Sequence, residues 1–127
     1  MALEATEAMT HIRAVRSPLP NLIGELREIL GAKLVAYIGS VRETRAVREW
    51  SAGTRKPRGD TTERLRLAFQ VAKSIADSDG RETAQAWFQG LNPLLGDMSP
   101  ARLLREGDLE ADGQRVLAAG RYFLLEG

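Results

Sequence analysis

Apolar residues recur at intervals of three and four along most of the chain, and no stretch alternates cleanly enough to predict a strand. "SPLPNLIGELREILG" predicts a helix from about Leu22, with Leu22, Ile23, Leu26, Ile29 and Leu30 on one side and Gly31 as its stop. "AKLVAYIG" predicts a second, short helix ending near Gly39. "SVRE" reads as a turn, and "ETRAVREWSA" as a third helix closed by Gly53. In "DTTERLRLAFQVAKSIAD", Asp60, Thr61 or Thr62 supplies a cap, and Leu65, Ala68, Phe69, Ala72, Ile75 and Ala76 form one buried stripe. "RETAQAWFQG" follows as a shorter helix with Ala84, Trp87 and Phe88 facing inward. A loop punctuated by Pro93, Gly96 and Pro100 leads into "SPARLLREG", where Ser99 is the cap and Pro100 occupies the first turn at no cost in hydrogen bonds. "DGQRVLAAGRYFLLEG" reads as a terminal helix, whereas residues 1–17 lack a strong apolar face. The pattern therefore predicts an all-α fold arranged around the helix from Asp60 to Asp77.

Composition narrows the chemistry. The chain has 127 residues, enough for one domain, or two small ones sharing a core, without disulfides. It contains no cysteine, which removes thiolate metal sites and thiol catalysis. No apolar run approaches the roughly 20 residues of a membrane span, and "MALEATEAMTHIRAV" does not read as a secretion signal, so a cytoplasmic protein without a membrane partner is expected. His11 is the only histidine, so neither a histidine-based triad nor a multi-histidine metal site is available. Asp108, Glu110 and Asp112 are too loosely patterned for a calcium loop, and the glycines form no phosphate cradle. The expectation is a protein that is not an enzyme and needs no cofactor or metal.

Charge divides the chain. Between Val41 and Arg66 eight basic residues face four acids, whereas from Asp77 onward nine acids face five arginines. One basic and one acidic third suggest two different partners, although solvated helix faces account for such clusters equally well. In the basic third, three short helices joined by tight turns and followed by a longer one are the layout of a helix-turn-helix. The small Ala36 lets two helices approach, and Val41, Val47 and Trp50 are expected to face the core. Arg42, Thr44, Arg45 and Arg48 are then left on the outer face, where arginine's planar fork suits guanine edges and phosphates. Trp50 is expected to root the end of this helix, and Arg55, Lys56 and Arg58 to lie along a phosphate backbone. The competing reading is that these three merely solubilise a loop.

The run "AQAWFQGLNPLLGDMSPARLLREG" resembles the C-terminal domain of the Xre/MbcA/ParS-type antitoxins, with Trp87, Asn92, Pro93, Gly96, Pro100, Leu103 and Leu104 matching in order and spacing. Val47, Trp50 and Gly53 resemble the close of that family's degenerate Xre-type reading helix. The resemblance covers roughly Leu22 to the C-terminus. It implies a type II toxin–antitoxin role in which the C-terminal domain binds and neutralises a RES-domain toxin that consumes NAD, while the protein, expected as a homodimer, binds its own operator DNA. It further implies an Xre-like helix-turn-helix bundle at 22–77 and a small helical toxin-binding domain at 78–127, the two joined through the central helix, and the weak apolar face before them leaves 1–21 as an expected weakly ordered segment. Asn92, Pro93, Leu94, Leu95, Tyr122, Phe123 and Leu124 are the expected toxin contacts, with Leu94 and Leu95 as exposed anchors inside a ring of acids including Asp97, Glu106, Asp108, Glu110 and Asp112. Two departures stand out: the turn "GSVRE" is a residue longer than usual, and Glu43 and Glu49 place acids on or beside the reading helix. The alternatives are a stand-alone helix-turn-helix regulator whose C-terminal half only dimerises, and an antidote whose front half is a scaffold without DNA affinity.

Overall fold

In the computed structural model, which describes residues 8–12 and 18–126, the apolar stripes become the inner faces of helices. Residues 8–12 form a short helical stretch, α1. There follow α2 (Leu19–Leu30), α3 (Ala32–Ile38), α4 (Thr44–Ala52), α5 (Thr61–Asp79), α6 (Arg81–Gln89), a 3-10 turn at Pro93–Leu95, α7 (Pro100–Glu106) and α8 (Leu109–Glu126). Among the described residues there is no strand, only an isolated bridge between Asn92 and Met98, so the expected all-α class is what forms. Among the same residues no helix is long and apolar enough to cross a membrane. Much of the segment expected to be weakly ordered, residues 1–7 and 13–17, lies outside the described residues. Its last residues differ from expectation, because α2 starts at Leu19, not near Leu22: Pro20 sits in the first turn, where its missing amide leaves no gap in the helix.

One apolar cluster runs from Leu22 in α2 to Ala119 in α8. The α5 helix is its axis: α2, α6 and α8 all pack on it, and α2 also packs on α6. Gly113 and Gly120 face α5, and Gly120 sets how closely α8 approaches. A Cβ at Gly113 would lie 2.7 Å from Leu67 Cδ1, and one at Gly120 would lie 2.8 Å from Val71 Cγ1. The helix begins at Leu109, earlier than the sequence suggested, because two acids build a reciprocal cap. Ala111 N donates to Asp108 Oδ2 at 2.9 Å, and Asp108 N donates to Asp112 Oδ2 at 2.8 Å.

Side chains reaching main-chain carbonyls tie the back of the molecule to the front. Gln85 Nε2 donates to Ile29 O at 2.8 Å, and Arg105 Nη1 donates to Tyr37 O at 2.6 Å. Arg64 is the most heavily used: it donates to both carboxylate oxygens of Asp60, at 3.0 and 2.9 Å, to Gly107 O at 3.0 Å and to Leu104 O. These bonds hold α7, whose last carbonyls would otherwise be orphaned at its C-terminus. Asp60, expected as a cap for α5, makes no capping bond; its carboxylate turns to Arg64 instead. The hydrogen bond from Arg64 holds the Asp60 carboxyl below its ordinary value.

Candidate functional site

The corner between α3 and α4 is built by one capping motif. Val41 N donates to Ala36 O at 3.0 Å and Ser40 N to Tyr37 O at 3.1 Å, the two bonds of a Schellman close. Ser40 takes the left-handed position, with φ 59°, where glycine usually stands. Glycine is needed one residue earlier: a Cβ on Gly39 would lie 2.9 Å from Cη2 and 3.0 Å from Cζ3 of Trp50. Trp50 is 2 % exposed, and its Nε1 has no hydrogen-bond partner among the described residues, so packing holds the ring. It roots the end of α4, with Ala46 and Val47 buried beside it. Gly53 closes the helix in the left-handed region at φ 78°. Val41, expected in the core, is only partly buried against it.

With that face buried, the opposite face of α4 turns outward. Arg42, Thr44, Arg45 and Arg48 are all exposed and line an open groove of about 760 Å³ between α3 and α4. Arg55, Lys56 and Arg58 lie exposed on the following loop. Glu49 is occupied on both sides, accepting from Arg45 Nε at 3.3 Å and from Arg55 Nη1 at 3.4 Å. It therefore tempers two of the expected DNA contacts. Arg42 and Arg48 form no ion pair among the described residues. Three further groove residues were not singled out from sequence: Lys33 and Tyr37 on α3, and Arg105 from α7. Only the exposed polar ends of α3 and α7 hinted at them, because no local pattern says that α7 docks on α3.

In the back half, Asn92 organises the turn. Its Oδ1 accepts from Leu94 N at 2.9 Å, and its main-chain oxygen accepts from Leu95 N and Asp97 N, both at 2.9 Å. Pro93 and Leu94 are exposed, Leu94 at 52 %. Leu95 is not an exposed anchor: it is 2 % exposed, because the 3-10 turn points alternate leucines to opposite sides and places Leu95 in the core. The turn packs against α8, the helix that also carries the second expected contact region. On α8, Tyr122 is exposed, while Phe123 and Leu124 are half buried and packed on the core. Phe123 lies 6.4 Å from the Trp87 ring, centroid to centroid, and Trp87 meets Phe88 edge-on at 5.1 Å. Leu91 and Leu125, which the sequence reading passed over, are the more exposed apolar residues, at 76 % and 62 %. The expected acidic ring is partly spent: Asp108 and Asp112 cap α8, and Glu106 pairs with Arg102 at 3.2 Å. Among the described residues no three His, Asp or Glu side chains gather as metal ligands.

Comparison with protein-family profiles finds no match. Over 74 residues the chain is 36 % identical to the mycobacterial cidal antitoxin MbcA of Mycobacterium bovis, a stretch covering 58 % of this chain and 62 % of that protein. The same values hold for MbcA of Mycobacterium tuberculosis, so the match spans about 62 % of the length of these curated relatives. Among solved structures, a chain of the M. tuberculosis MbcT–MbcA toxin–antitoxin complex superposes with a TM-score of 0.63 at 27 % identity, covering 83 % of this chain and 96 % of that one.

Proposed function

We propose, from the chain's homology to the MbcA antitoxins, that it is the antitoxin of a toxin–antitoxin pair, neutralising its toxin through the back half and binding operator DNA through α4. The observation that carries this reading is a shared fold over 83 % of the chain with a chain from a toxin–antitoxin complex. The Trp87, Asn92-Pro93 and Pro100 run supports a RES-domain, NAD-consuming enzyme as the toxin, since it resembles antitoxins that pair with such enzymes. The surface best suited to the toxin is the exposed apolar set Leu91, Pro93, Leu94, Tyr122 and Leu125, where burial of a few apolar and aromatic groups supplies most of the affinity. Phe123 and Leu124 serve it mainly by seating α8. Arg42, Thr44, Arg45, Arg48, Arg55, Lys56 and Arg58 support DNA binding by their common exposure on or beside α4. Self-association into a homodimer, which would place two reading helices on one duplex, belongs to the same reading.

The test is growth rescue. The neighbouring reading frame is expressed from an inducible promoter, with this chain supplied in trans as wild type, Leu94→Glu or Tyr122→Glu. Wild type is expected to restore growth, and each variant to weaken complex formation at least tenfold while keeping the helical circular dichroism signal. Absence of any protection by wild type refutes the antitoxin reading and favours a stand-alone regulator. Full protection and unchanged affinity in both variants moves the contact away from this surface.

A further inference from the structure

The groove between α3 and α4 carries more charge than the reading helix alone provides. Lys33, Arg42, Arg45, Arg48 and Arg105 line it, against one carboxylate, Glu43. Arg105 belongs to α7, in the back half of the chain, and arrives because α7 packs on α3. Its guanidinium carbon lies 4.7 Å from the centroid of the Tyr37 ring while Nη1 holds Tyr37 O. This contact fixes the head group at the mouth of the α3–α4 corner. No other hydrogen bond or ion pair engages Arg105 among the described residues, which leaves Nε and Nη2 as donors into the groove. Lys33 likewise has no partner among them and is exposed.

We infer that this groove seats the sugar–phosphate backbone of a nucleic acid, and that Lys33 and Arg105 are phosphate contacts lying outside the reading helix. The inference rests on the DNA-binding reading and extends it to two residues that the α4 pattern does not include. In a helix-turn-helix the first helix crosses the backbone while the second enters the major groove, and α3, with Lys33 and the stacked Arg105, occupies the first position. A duplex carries a charge about every 1.7 Å of its axis and so engages several cations of one open groove together. A lone carboxylate of a protein partner engages only one or two. A purely structural Arg105 would cap the carbonyl end of α3 and do nothing else; the number of cations released on binding separates the two roles.

Affinity is measured by fluorescence anisotropy on a labelled duplex of about 30 base pairs from immediately upstream of the reading frame, and on a scrambled duplex of equal length, across a salt series. Arg105→Gln removes the charge while keeping a polar, uncharged side chain. It is expected to reduce the magnitude of the log–log salt slope by about 0.9, to weaken both duplexes by the same factor, and to leave the preference between them unchanged. Lys33→Gln is expected to do the same, and Arg105→Lys to retain the wild-type slope. A wild-type slope in Arg105→Gln, on a wild-type protein that binds, overturns the inference and leaves the DNA reading standing. Absence of binding by wild type to either duplex at the lowest salt refutes the DNA reading itself. An unchanged slope in Arg105→Gln accompanied by loss of toxin co-purification assigns the groove to a protein partner and likewise overturns the inference.

Discussion

Arg64→Met is the substitution that most directly tests how the back half is held. The guanidinium is almost enclosed, its side chain 12 % exposed, and it serves three groups at once: the Asp60 carboxylate, Leu104 O and Gly107 O. The ion pair contributes little, because Asp60 is 54 % exposed and water screens it, so about 0–1 kcal/mol is at stake there. The two carbonyls matter more. Each is a main-chain acceptor near the end of α7 served by a charged donor, a bond with a net worth of about 1.5–3 kcal/mol. Methionine refills most of the volume and lets some water reach the carbonyls, so the expected loss is about 2–4 kcal/mol, or on the order of 10 °C in melting temperature for a chain of this size. The assay is urea unfolding followed by circular dichroism, with Asp60→Asn as the control that removes only the ion pair and is expected to cost about 1 kcal/mol or less. An Arg64→Met midpoint equal to that of Asp60→Asn refutes the claim that the carbonyl bonds hold α7.

Four further expectations follow from the packing and the charges. Gly39→Ala drives a methyl into the Trp50 ring and should cost about 1–3 kcal/mol, with Trp50→Phe in the same chain recovering part of the loss in a double-mutant cycle. Gly120→Ala should destabilise because the stiff, branched Val71 cannot yield. Gly113→Ala meets only the flexible end of Leu67 and should be near neutral or stabilising by up to about 1 kcal/mol in thermal melts. The lowered carboxyl of Asp60 stabilises the fold fully above the ordinary aspartate value of about 3.9, and that stabilisation is lost as pH falls through the lowered folded value. Urea midpoints at pH 7 and pH 3 should therefore differ less in Asp60→Asn than in wild type. Removal of residues after Arg121 should lower the melting temperature, since it takes away Phe123 from the Trp87 ring, and on the proposed antitoxin reading should also weaken growth rescue; an unchanged melt would show that this ring contact carries no stability.

The helices were legible because period and punctuation agree: Gly31, Gly39 and Gly53 fall where helices stop, and the α5 stripe is buried as its spacing required, except that Ala76 at its end is only half buried. The outward side of α4 was legible for the same reason, since Val47 and Trp50 fix which residues remain outside. What escaped was non-local. That Leu94 and Leu95 part company depends on a tight turn set by Asn92, not on hydrophobicity. That Asp108 and Asp112 cap a helix instead of ringing a contact depends on where α8 begins. Arg105 joins a groove built by α3 and α4 some sixty residues earlier, through a docking that no periodicity encodes.

The bonds that tie the two halves share an asymmetry with an evolutionary consequence. In each, a side chain donates from one element and a main-chain carbonyl accepts on another: Gln85 to Ile29, Arg64 to Leu104 and Gly107, Arg105 to Tyr37. A carbonyl is present whatever residue occupies its position, so the receiving helices are free to drift in sequence as long as their backbone path is kept. The tie between the halves then depends on three donor side chains, while the accepting positions can change side chain without breaking it. Divergence to 27 % identity with the architecture retained is the outcome such a division of labour permits.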